Sequence, residues 1–477
     1  MKPLSSRRTR IVATLGPATD EPGVLEGMLA AGLDVVRLNF SHGKADDHRQ
    51  RVQRVREVAA AQGCEVAVLA DLQGPKIRIA GFASGPTQLK NGQPFTLDTK
   101  LGAQDGDNKA VGLEWPQLLN DVGPGDTLLL SDGAIRLTVD SVDDSKVHCT
   151  VVQGGKLADR QGLNRLGGGI SADALTEKDF ADIVTATELN ADYMAVSFPA
   201  SADDMLAARR ALDAAGSEAY LVAKIERQEA LVELEGIIRA SDAVMVARGD
   251  LGVEIGDAEL PGVQKRIIRL SRELNRPVIT ATQMMESMRS APQPTRAEVM
   301  DVANAVLDGS DAVMLSAETA TGDYPVKTVE TMSRICEGAQ RHRNDNRSEA
   351  MLNMHFQQTD EAIAVATVYT ANHMNASAIL ALTESGNTAL LMSRMACNTP
   401  IYALTPHKRS ERRLKLCYGV ISISFNPGER RGAEMIDHAV ATLVKTGVVS
   451  SGQRVLVAKG DFEAAGATNT MKIVTVD

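Results

Sequence analysis

The stretch SDAVMVARGD, residues 241–250, is a short apolar run that ends in a polar cluster, and SDAVMLSAE, residues 310–318, opens with the same five letters. The apolar part of each run is rich in β-branched residues and has the length of a buried strand. A strand of this kind followed by a helical pattern is typical of a βα unit in a parallel sheet. The shared opening therefore fits the repeated geometry of one parallel sheet.

Six further runs along the chain have the same character, which makes eight in all. They are RIVATLGP (10–17), LDVVRLNFSHG (33–43), EVAVLADLQG (65–74), ADYMAVSFP (191–199), AYLVAKIE (219–226) and RPVITATQ (276–283). Eight strands that alternate with helices predict a closed (β/α)8 TIM barrel. The fold class is thus α/β.

The pattern is interrupted after the third run and stops before the end of the chain. From about 75 to 170, Gly, Pro, Asp and Asn separate short strand-like pieces such as QPFTLDT and KVHCTVV, which predicts an inserted all-β domain. The barrel is therefore expected over 1–74 and 171–345. The polar segment RHRNDNRSEA (341–350) is a candidate linker, and strand-like and helix-like pieces alternate over 346–477, which predicts a C-terminal doubly wound α/β domain.

Composition excludes several classes of protein. The net charge of −10 argues against a general nucleic-acid binder, which would show a basic surface. None of the five cysteines lies in a C-x-x-C pair, so a disulfide framework is not expected and a reduced, cytoplasmic compartment is. No apolar stretch is long enough to cross a membrane.

Polar side chains follow most of the predicted strands, at the end where barrel enzymes carry their active sites. Two carboxylates suit Mg²⁺ or Mn²⁺, and cations beside such a metal suggest a phosphorylated or carboxylated substrate. Taken singly, the Lys224–Glu226 pair could be a strand-end ion pair and Arg248–Asp250 a simple turn; their convergence on one rim favours an active site. The rim residues are Arg37, Asn39, Ser41, His42, Asp71, Lys76, Arg78, Lys224, Glu226, Arg248, Gly249, Asp250, Thr282, Gln283, Ser316 and Glu318.

Six blocks in this order give the chain a specific resemblance to the pyruvate kinase family: RLNFSHG (37–43), GPKIR (74–78), VAKIER (222–227), VMVARGDLGVEI (244–255), ATQMMESM (281–288) and DAVMLSAETA (311–320). The resemblance covers nearly the whole chain and includes the order of barrel, inserted β-domain and C-terminal domain. It implies transfer of the phosphoryl group of phosphoenolpyruvate to ADP, giving pyruvate and ATP, the last step of glycolysis. It also implies a homotetramer.

The resemblance further implies a role for each matched residue on the substrate side. Glu226 and Asp250 match the Mg²⁺ ligands, and Lys224 matches the lysine that neutralises charge on the transferring phosphoryl group and the forming enolate. The amides of Gly249 and Asp250, with the Thr282 hydroxyl, match the site for the substrate carboxylate. Thr282 and Ser316 are candidates for a water-linked proton relay to the enolate.

Nucleotide and phosphoryl contacts are implied for a second group of residues. Arg37 and Arg78 match the arginines around the phosphoryl group and the nucleotide, and Asn39 and His42 lie on the nucleotide-facing loop. In the inserted domain Gln161 stands where the family often has a lysine, so Arg160 is a candidate contact to nucleotide phosphate.

The chain departs from many relatives at the pocket for a monovalent cation. Asn39, Ser41, Asp71 and the backbone of Leu72 match the K⁺ pocket, but members that need K⁺ carry glutamate at the place of Lys76. A lysine ammonium can supply the missing positive charge as a tethered point charge. K⁺ is therefore not expected to be required, although Lys76 could also be a solvated loop lysine.

A second site is predicted in the C-terminal domain, where a strand runs into a polar loop and a helix. Hydroxyls and amides at a helix N-terminus can bind an anion, although the same loop could be a capped strand–helix turn. The family resemblance implies an allosteric phosphate site, and the acid Glu384 stands where responders to fructose bisphosphate often carry lysine. The expected effector is thus a monophosphate, such as a sugar monophosphate or AMP. The loop residues are Thr383, Glu384, Ser385, Gly386, Asn387 and Thr388.

Two other functions fit part of the pattern. A Mg²⁺-dependent barrel lyase or aldolase could share the Glu/Asp pair, but it would not be expected to carry the inserted domain or the RLNFSHG loop. A catalytically silent metabolite sensor would keep only the C-terminal phosphate site, and the intact Lys224, Glu226, Asp250 and Thr282 argue against it.

Overall fold

The structure, a computed structural model, describes residues 7–342, 356, 358–395, 397–460 and 468–477. We number strands and helices along the chain. The first three strands and helices are β1 (Arg10–Thr14), α1 (Pro17–Asp20), α2 (Val24–Ala30), β2 (Val35–Asn39), α3 (Ala45–Ala61) and β3 (Ala67–Asp71). These strands are buried apart from half-buried Asn39, as expected for strands rich in Val, Leu and Ala.

After β3 the chain leaves the barrel and forms a separate β-structure. Its elements are β4 (Thr87–Gln88), β5 (Pro94–Asp98), β6 (Ala110–Gly112), α4 (Leu118–Asp121), β7 (Thr127–Leu130), β8 (Ile135–Val142), β9 (Lys146–Gln153), β10 (Lys156–Leu157) and β11 (Leu163–Arg165). Six strands form a sheet in the order β11-β7-β8-β9-β5-β6, and β4 pairs with β10. Alternating buried residues on β8 and β9 build its own hydrophobic core.

The barrel then resumes with five further strands. Its elements are α5 (Glu177–Glu188), β12 (Tyr193–Val196), α6 (Ala202–Ala214), β13 (Tyr220–Ile225), α7 (Glu229–Val232), α8 (Leu234–Arg239), β14 (Ala243–Ala247), α9 (Arg248–Ile255), α10 (Leu260–Glu273), β15 (Val278–Ala281), a 3₁₀ turn (Glu286–Arg289), α11 (Arg296–Asp308), β16 (Ala312–Leu315), α12 (Ala317–Ala320) and α13 (Pro325–Gln340).

The eight predicted runs become the eight strands of one closed parallel barrel, so the predicted fold class is confirmed. The order around the barrel is β1-β2-β3-β12-β13-β14-β15-β16, and β16 pairs back to β1. Parallel pairing brings all carboxyl ends to one rim; Asn39 at the end of β2, for example, pairs with Asp71 at the end of β3. Arg248, Gly249 and Asp250, for which a simple turn was the alternative interpretation, form the first turn of α9.

The C-terminal domain is a five-stranded sheet with a hydrophobic core on each face. Its elements are α14 (Thr359–His373), β17 (Ala378–Leu382), α15 (Asn387–Arg394), β18 (Ile401–Thr405), α16 (Lys408–Arg413), a 3₁₀ turn (Leu414–Leu416), β19 (Val420–Ser424), α17 (Gly432–Lys445), β20 (Arg454–Gly460) and β21 (Thr468–Thr475). The order is β19-β18-β17-β20-β21, parallel except for the last pair. Such sheets bind ligands outside the carboxyl ends of their strands.

The C-terminal domain lies against the N-terminal end of the barrel, opposite the rim. Buried Arg394 forms an ion pair with Asp311, the residue before β16, and Arg10 Nε donates to the carbonyl of Cys417 at 3.0 Å. The predicted limits of the three domains remain our proposal, and the boundary at 345/346 falls outside the described residues.

Candidate active site

Asp71, at the end of β3, is the centre of a buried charge network on the rim. Its Oδ2 accepts from Arg37 Nε at 2.6 Å, and its Oδ1 lies 3.2 Å from Lys224 Nζ. Burial alone would raise the pKa of this carboxyl, but the two cations outweigh it and hold the pKa below the ordinary value. Arg37 also donates to the Thr14 hydroxyl at 2.9 Å, which fixes its guanidinium at the rim.

Lys224, near the end of β13, joins three groups. Its ammonium lies 3.0 Å from Glu226 Oε1 and donates to Ser197 Oγ at 2.6 Å, in addition to its pairing with Asp71. Burial would lower the pKa of Lys224, but Asp71 and Glu226 raise it above its usual value. Lys224 is therefore a fixed positive charge at the mouth of the barrel.

Glu226 is buried and differs from Asp71 in its balance of charge. Burial raises its pKa to about 7; Lys224 opposes the shift, while the nearby acids Asp250 and Asp71 add to it. Its Oε2 accepts from the backbone amide of Phe198 at 2.9 Å. A divalent cation bound beside Glu226 would favour the charged form of this carboxyl.

The first turn of α9 presents Gly249 and Asp250 to the rim. The Gly249 amide donates to Thr282 Oγ1 at 2.8 Å, and that hydroxyl donates to the carbonyl of Ala281 at 2.6 Å. Thr282 has a φ of +68°, a costly conformation for a β-branched residue, and such strain concentrates at functional sites. Arg248 holds the turn through a bidentate ion pair with Asp301, with N···O distances of 2.7 and 2.8 Å.

Lys76 reaches this turn from the loop that leads into the inserted domain. Its ammonium lies 3.5 Å from Asp250 Oδ1, and its side chain is 30% exposed. The prediction that Lys76 supplies the charge of the K⁺ pocket would bring it close to Asp71, but in the structure Arg37 and Lys224 lie at the two oxygens of Asp71. The difference arises because the Gly74–Pro75 turn carries Lys76 past the rim towards α9.

The remaining residues of the predicted K⁺ pocket and nucleotide loop lie at the ends of β2 and β3. Asn39 Oδ1 accepts from the amide of Ser41 at 3.1 Å, which closes a tight turn, and His42 in the same turn is exposed. The carbonyl of buried Leu72 accepts from the Ser197 hydroxyl at 2.7 Å. Asn39, Ser41 and Leu72 thus lie beside Asp71 at adjacent strand ends.

Arg78 and Arg160 meet where the inserted domain joins the barrel. Arg78 Nη1 donates to the carbonyl of Arg160 at 2.8 Å, whereas the Arg160 side chain is 65% exposed and lies 3.4 Å from Glu114. Residues Gly162–Asn164 approach Lys76 and Asp250 so closely that a cavity of only about 30 Å³ remains between the inserted domain and the rim. Of the predicted nucleotide residues, His42 and Arg160 are exposed, and Asn39 and Arg78 are half-buried.

Ser316 follows β16, and Glu318 lies beneath it. Glu318 is fully buried, accepts from the amides of Ser316 and Met285 at 2.6 and 3.2 Å, and has its pKa raised by burial. Glu318 therefore holds the backbone of the Ser316 loop through these two hydrogen bonds.

The loop predicted as an effector site does lie at a strand–helix junction, between β17 and α15. Thr383 Oγ1 accepts from the Gly386 amide at 2.9 Å, and Asn387 donates to Asp360 at 3.0 Å. The hydroxyl of Thr388 bonds to Thr468. The Glu384 carbonyl accepts from Thr405 and Ser410.

Glu226 and Asp250 fit a divalent metal by their chemistry. Both offer hard carboxylate oxygens, and Asp250 is 23% exposed and paired only loosely, at 3.5 Å, with Lys76. The described residues contain no cluster of three or more His, Cys, Asp or Glu side chains arranged to hold a metal. A metal here would thus take two protein carboxylates and draw its other ligands from substrate and water, which is how Mg²⁺ is usually bound.

Sequence reasoning missed Ser197 and Phe198, at the end of β12. Ser197 ties Lys224 to the loop after β3, and the amide of Phe198, a residue with a φ of +57°, orients Glu226. The signal was in the sequence: ADYMAVSFP is one of the eight strands, and its polar end residue could have been counted with the others.

Comparison with known proteins gives one consistent result. The family profile "Pyruvate kinase, barrel domain" matches residues 6–329, and "Pyruvate kinase, alpha/beta domain" matches residues 361–474. The chain belongs to the pyruvate kinase family. It is 52% identical over 476 residues to pyruvate kinase II of Salmonella typhimurium, and 50% identical over 477 residues to pyruvate kinase of Haemophilus influenzae, with 99% of each chain covered in both cases.

A solved structure supports the same family. A pyruvate kinase from Cryptosporidium parvum matches with a TM-score of 0.93 at 33% identity, covering 100% of this chain and 98% of that one. Membership of the pyruvate kinase family identifies the protein as an enzyme, a phosphotransferase. Among the described residues, no helix has both the length and the apolar composition to span a membrane.

Proposed function

We propose that this enzyme transfers the phosphoryl group of phosphoenolpyruvate to ADP, giving pyruvate and ATP, with Mg²⁺ or Mn²⁺ as cofactor. The observation that carries the proposal is the buried network of Arg37, Asp71, Lys224 and Glu226 beside Asp250, at the barrel end that the inserted domain covers. Phosphoryl transfer needs chiefly positioning and charge neutralisation, which such a network supplies.

Each group has a defined task in this reaction. The amides of Gly249 and Asp250 and the hydroxyl of Thr282 would bind the substrate carboxylate, which would replace the hydrogen bond between Gly249 and Thr282. Arg37 and Lys224 would neutralise charge on the phosphoryl oxygens. Glu226 and Asp250 would hold the metal, which supplies further charge neutralisation when bound. Arg78, Asn39, His42 and Arg160 line the nucleotide side.

The bond balance is simple. The P–O bond to the enol oxygen of phosphoenolpyruvate breaks, a P–O bond to the β-phosphate of ADP forms, and the enolate left behind takes one proton at its terminal carbon. Lys224 would stabilise the enolate oxygen, and we propose Thr282 and Ser316 as a water-linked path for that proton.

A coupled assay for pyruvate tests this function against the two alternatives. The wild type with Mg²⁺ should form pyruvate from phosphoenolpyruvate only when ADP is present, with one ATP per pyruvate. Pyruvate formation without ADP would indicate a lyase, and no pyruvate at all would indicate a silent sensor.

We also propose that Lys76 replaces the monovalent cation. Its ammonium lies close to the carboxylate of Asp250, a candidate metal ligand on α9, so its positive charge acts beside Asp250 rather than beside Asp71.

Turnover of the wild type should be the same, within about twofold, in K⁺ and in tetramethylammonium at equal ionic strength. Lys76→Glu should lose roughly tenfold in kcat without K⁺ and regain part of it with K⁺, because one unit charge near a reacting phosphoryl group is removed. Lys90→Glu, at an exposed position of the inserted domain, is the matched control; strong K⁺ activation of the wild type would refute the proposal.

The C-terminal loop Thr383–Thr388 is proposed as the site of an activating monophosphate, in a homotetramer as the family resemblance implies. The support is its place outside the carboxyl end of β17, with Glu384 in the loop. Activation measured with a panel of phosphates should favour a sugar monophosphate or AMP; a selective response to fructose 1,6-bisphosphate would contradict this.

A further inference from the structure

An open cleft of about 760 Å³ lies where the C-terminal domain meets the N-terminal end of the barrel. One wall comes from the barrel, with Arg56 of α3, Asn190 after α5 and Glu218 before β13. The other wall is the segment that follows β18, residues 406–413. Because the two walls belong to different domains, anything bound here contacts both.

The cleft is lined by more positive than negative charge, in a chain whose net charge is −10. The cations share their acid partners. The carboxylate of Asp192 pairs with Arg56 at 3.2 Å and with Arg412 at 2.7 Å. The carboxylate of Glu65 lies 2.9 Å from Lys408 and 3.9 Å from Arg412.

Glu218 contacts two cations through different groups. Its carboxylate pairs with Arg409, and its backbone carbonyl accepts from Arg413. The fourth acid, buried Glu411, lies 3.7 Å from Lys408. The five cations that line the cleft therefore outnumber the four acids beside them, and Asp192 and Glu65 each serve two cations.

The cations also repel one another. Burial and then the repulsion of Arg413 lower the pKa of Arg409, and burial together with Arg412 lowers the pKa of Arg56 despite its pairing with Asp192. Arg413 lies with its guanidinium carbon 3.8 Å from the centre of the Tyr220 ring. Its buried Nε has no hydrogen-bond partner within the described part of the chain.

The cleft is joined directly to the loop Thr383–Thr388. Ser410, on the cleft wall, donates its hydroxyl to the carbonyl of Glu384, and Thr405 donates to the same carbonyl at 3.3 Å. A shift of α16 towards the barrel would therefore move Glu384. The cleft lies outside the carboxyl end of β18, where doubly wound sheets bind ligands.

We propose that this interdomain cleft is an anion site that binds a phosphorylated small molecule through Lys408, Arg409 and Arg413. The phosphoryl oxygens accept from the lysine and arginine donors, which prefer phosphate to a shared carboxylate because a dianion compensates two cations at once. The site is separate from the rim, which lies at the other end of the barrel. It is reached independently of the Thr383–Thr388 loop, although the two are mechanically joined through Glu384.

The test is isothermal titration of the full-length protein with inorganic pyrophosphate in buffer without divalent metal. The wild type should bind pyrophosphate, and Lys408→Glu with Arg409→Glu should weaken one binding event roughly tenfold or more, since each lost charge-assisted hydrogen bond changes affinity by about that factor. The matched control is Lys265→Glu with Arg269→Glu on α10, two exposed cations with the same change of charge. It should bind like the wild type.

A second double variant, Lys408→Gln with Arg409→Gln, removes both charges without reversing them. It keeps the test decisive if charge reversal disturbs the contact between the C-terminal domain and the barrel. It should show an intermediate loss of affinity. Equal isotherms for the wild type and both cleft variants, or no pyrophosphate binding by the wild type, would overturn the proposal. Pyruvate formation without effectors should be unchanged in the cleft variants, so this result is independent of the proposed catalytic function.

Discussion

At the N-terminal end of the barrel a buried carboxylate has a lowered pKa, whereas at the C-terminal rim a buried carboxylate has a raised one. Asp34 is held by Arg7 and Arg10, which bring its pKa below the usual value despite burial. At the rim, burial raises the pKa of Glu226 to about 7; Lys224 opposes the shift, while Asp250 and Asp71 add to it. The comparison indicates that the cations at Asp34 serve structure, whereas Glu226, beside Asp250, is a carboxylate whose charged form a bound ligand would stabilise.

The largest effect on turnover is expected at the rim. Lys224→Met should lower kcat by roughly 100- to 1,000-fold, because it removes a preorganised cation from the phosphoryl and enolate oxygens. Steady-state kinetics with a thermal melt measures this, and exposed Lys265→Met is the control. A kcat within threefold of wild type would break the comparison.

The opposite pattern is expected at the other end. Arg394→Met leaves Asp311 buried without its cation, and should lower the free energy of unfolding by about 3–5 kcal/mol. Denaturant unfolding measures the loss, and Arg430→Met, at an exposed position, should change little. The kcat of the folded enzyme should stay close to wild type; a large fall in kcat with unchanged stability would contradict the structural role.

Ser197 gives a smaller test within the rim. Ser197→Ala removes the hydroxyl that holds Lys224 at 2.6 Å, and kcat should fall roughly tenfold with little change in KM for ADP, because Lys224 keeps its charge but loses its orientation. Ser201→Ala, four residues further along the same loop, is the matched control. Equal kcat values for the two variants would show that Ser197 does not position Lys224.

The pH dependence of stability gives a further test at Glu254, whose backbone carbonyl accepts from the amide of Gly167 where the inserted domain returns to the barrel. Burial raises its pKa to about 7, and its carboxylate accepts from the Gln228 amide at 2.9 Å. A carboxyl whose pKa is raised on folding stabilises the folded state when protonated, so its contribution is complete below about 4.5 and is lost as the pH rises through about 7.

Glu254→Gln should therefore gain stability relative to wild type between pH 5 and pH 8, by about 1–3 kcal/mol. Glu298→Gln is the control of opposite sign, because hydrogen bonds from Ser287 and Thr295 outweigh burial and lower the pKa of Glu298. Thermal melts at pH 5 and pH 8 measure the change in stability of each variant. A gain in stability from pH 5 to pH 8 in both variants would exclude the pKa shift of Glu254 as the cause.

Much of the fold could be predicted because its signals are local. Apolar runs such as SDAVMVARGD end in polar residues within a few positions, and the closed barrel then brings those residues to one rim. The network of Arg37, Asp71 and Lys224 follows from that geometry.

What could not be predicted depends on contacts between distant loops. Lys76 pairs with Asp250, 174 positions away, and the choice between Asp71 and Asp250 depends on the path of the chain after Gly74. The sharing of acids in the interdomain cleft depends on how two domains pack, which no single segment encodes.

The proposed metal site at Glu226 and Asp250 is tested most directly by Mn²⁺ binding to the substrate-free enzyme. Titration followed by electron paramagnetic resonance should find one Mn²⁺ per chain in the wild type and in Asp257→Asn, an exposed control, and a loss of that ion in Asp250→Asn. Equal Mn²⁺ binding by Asp250→Asn and the wild type, or no bound Mn²⁺ in the wild type, would contradict the claim.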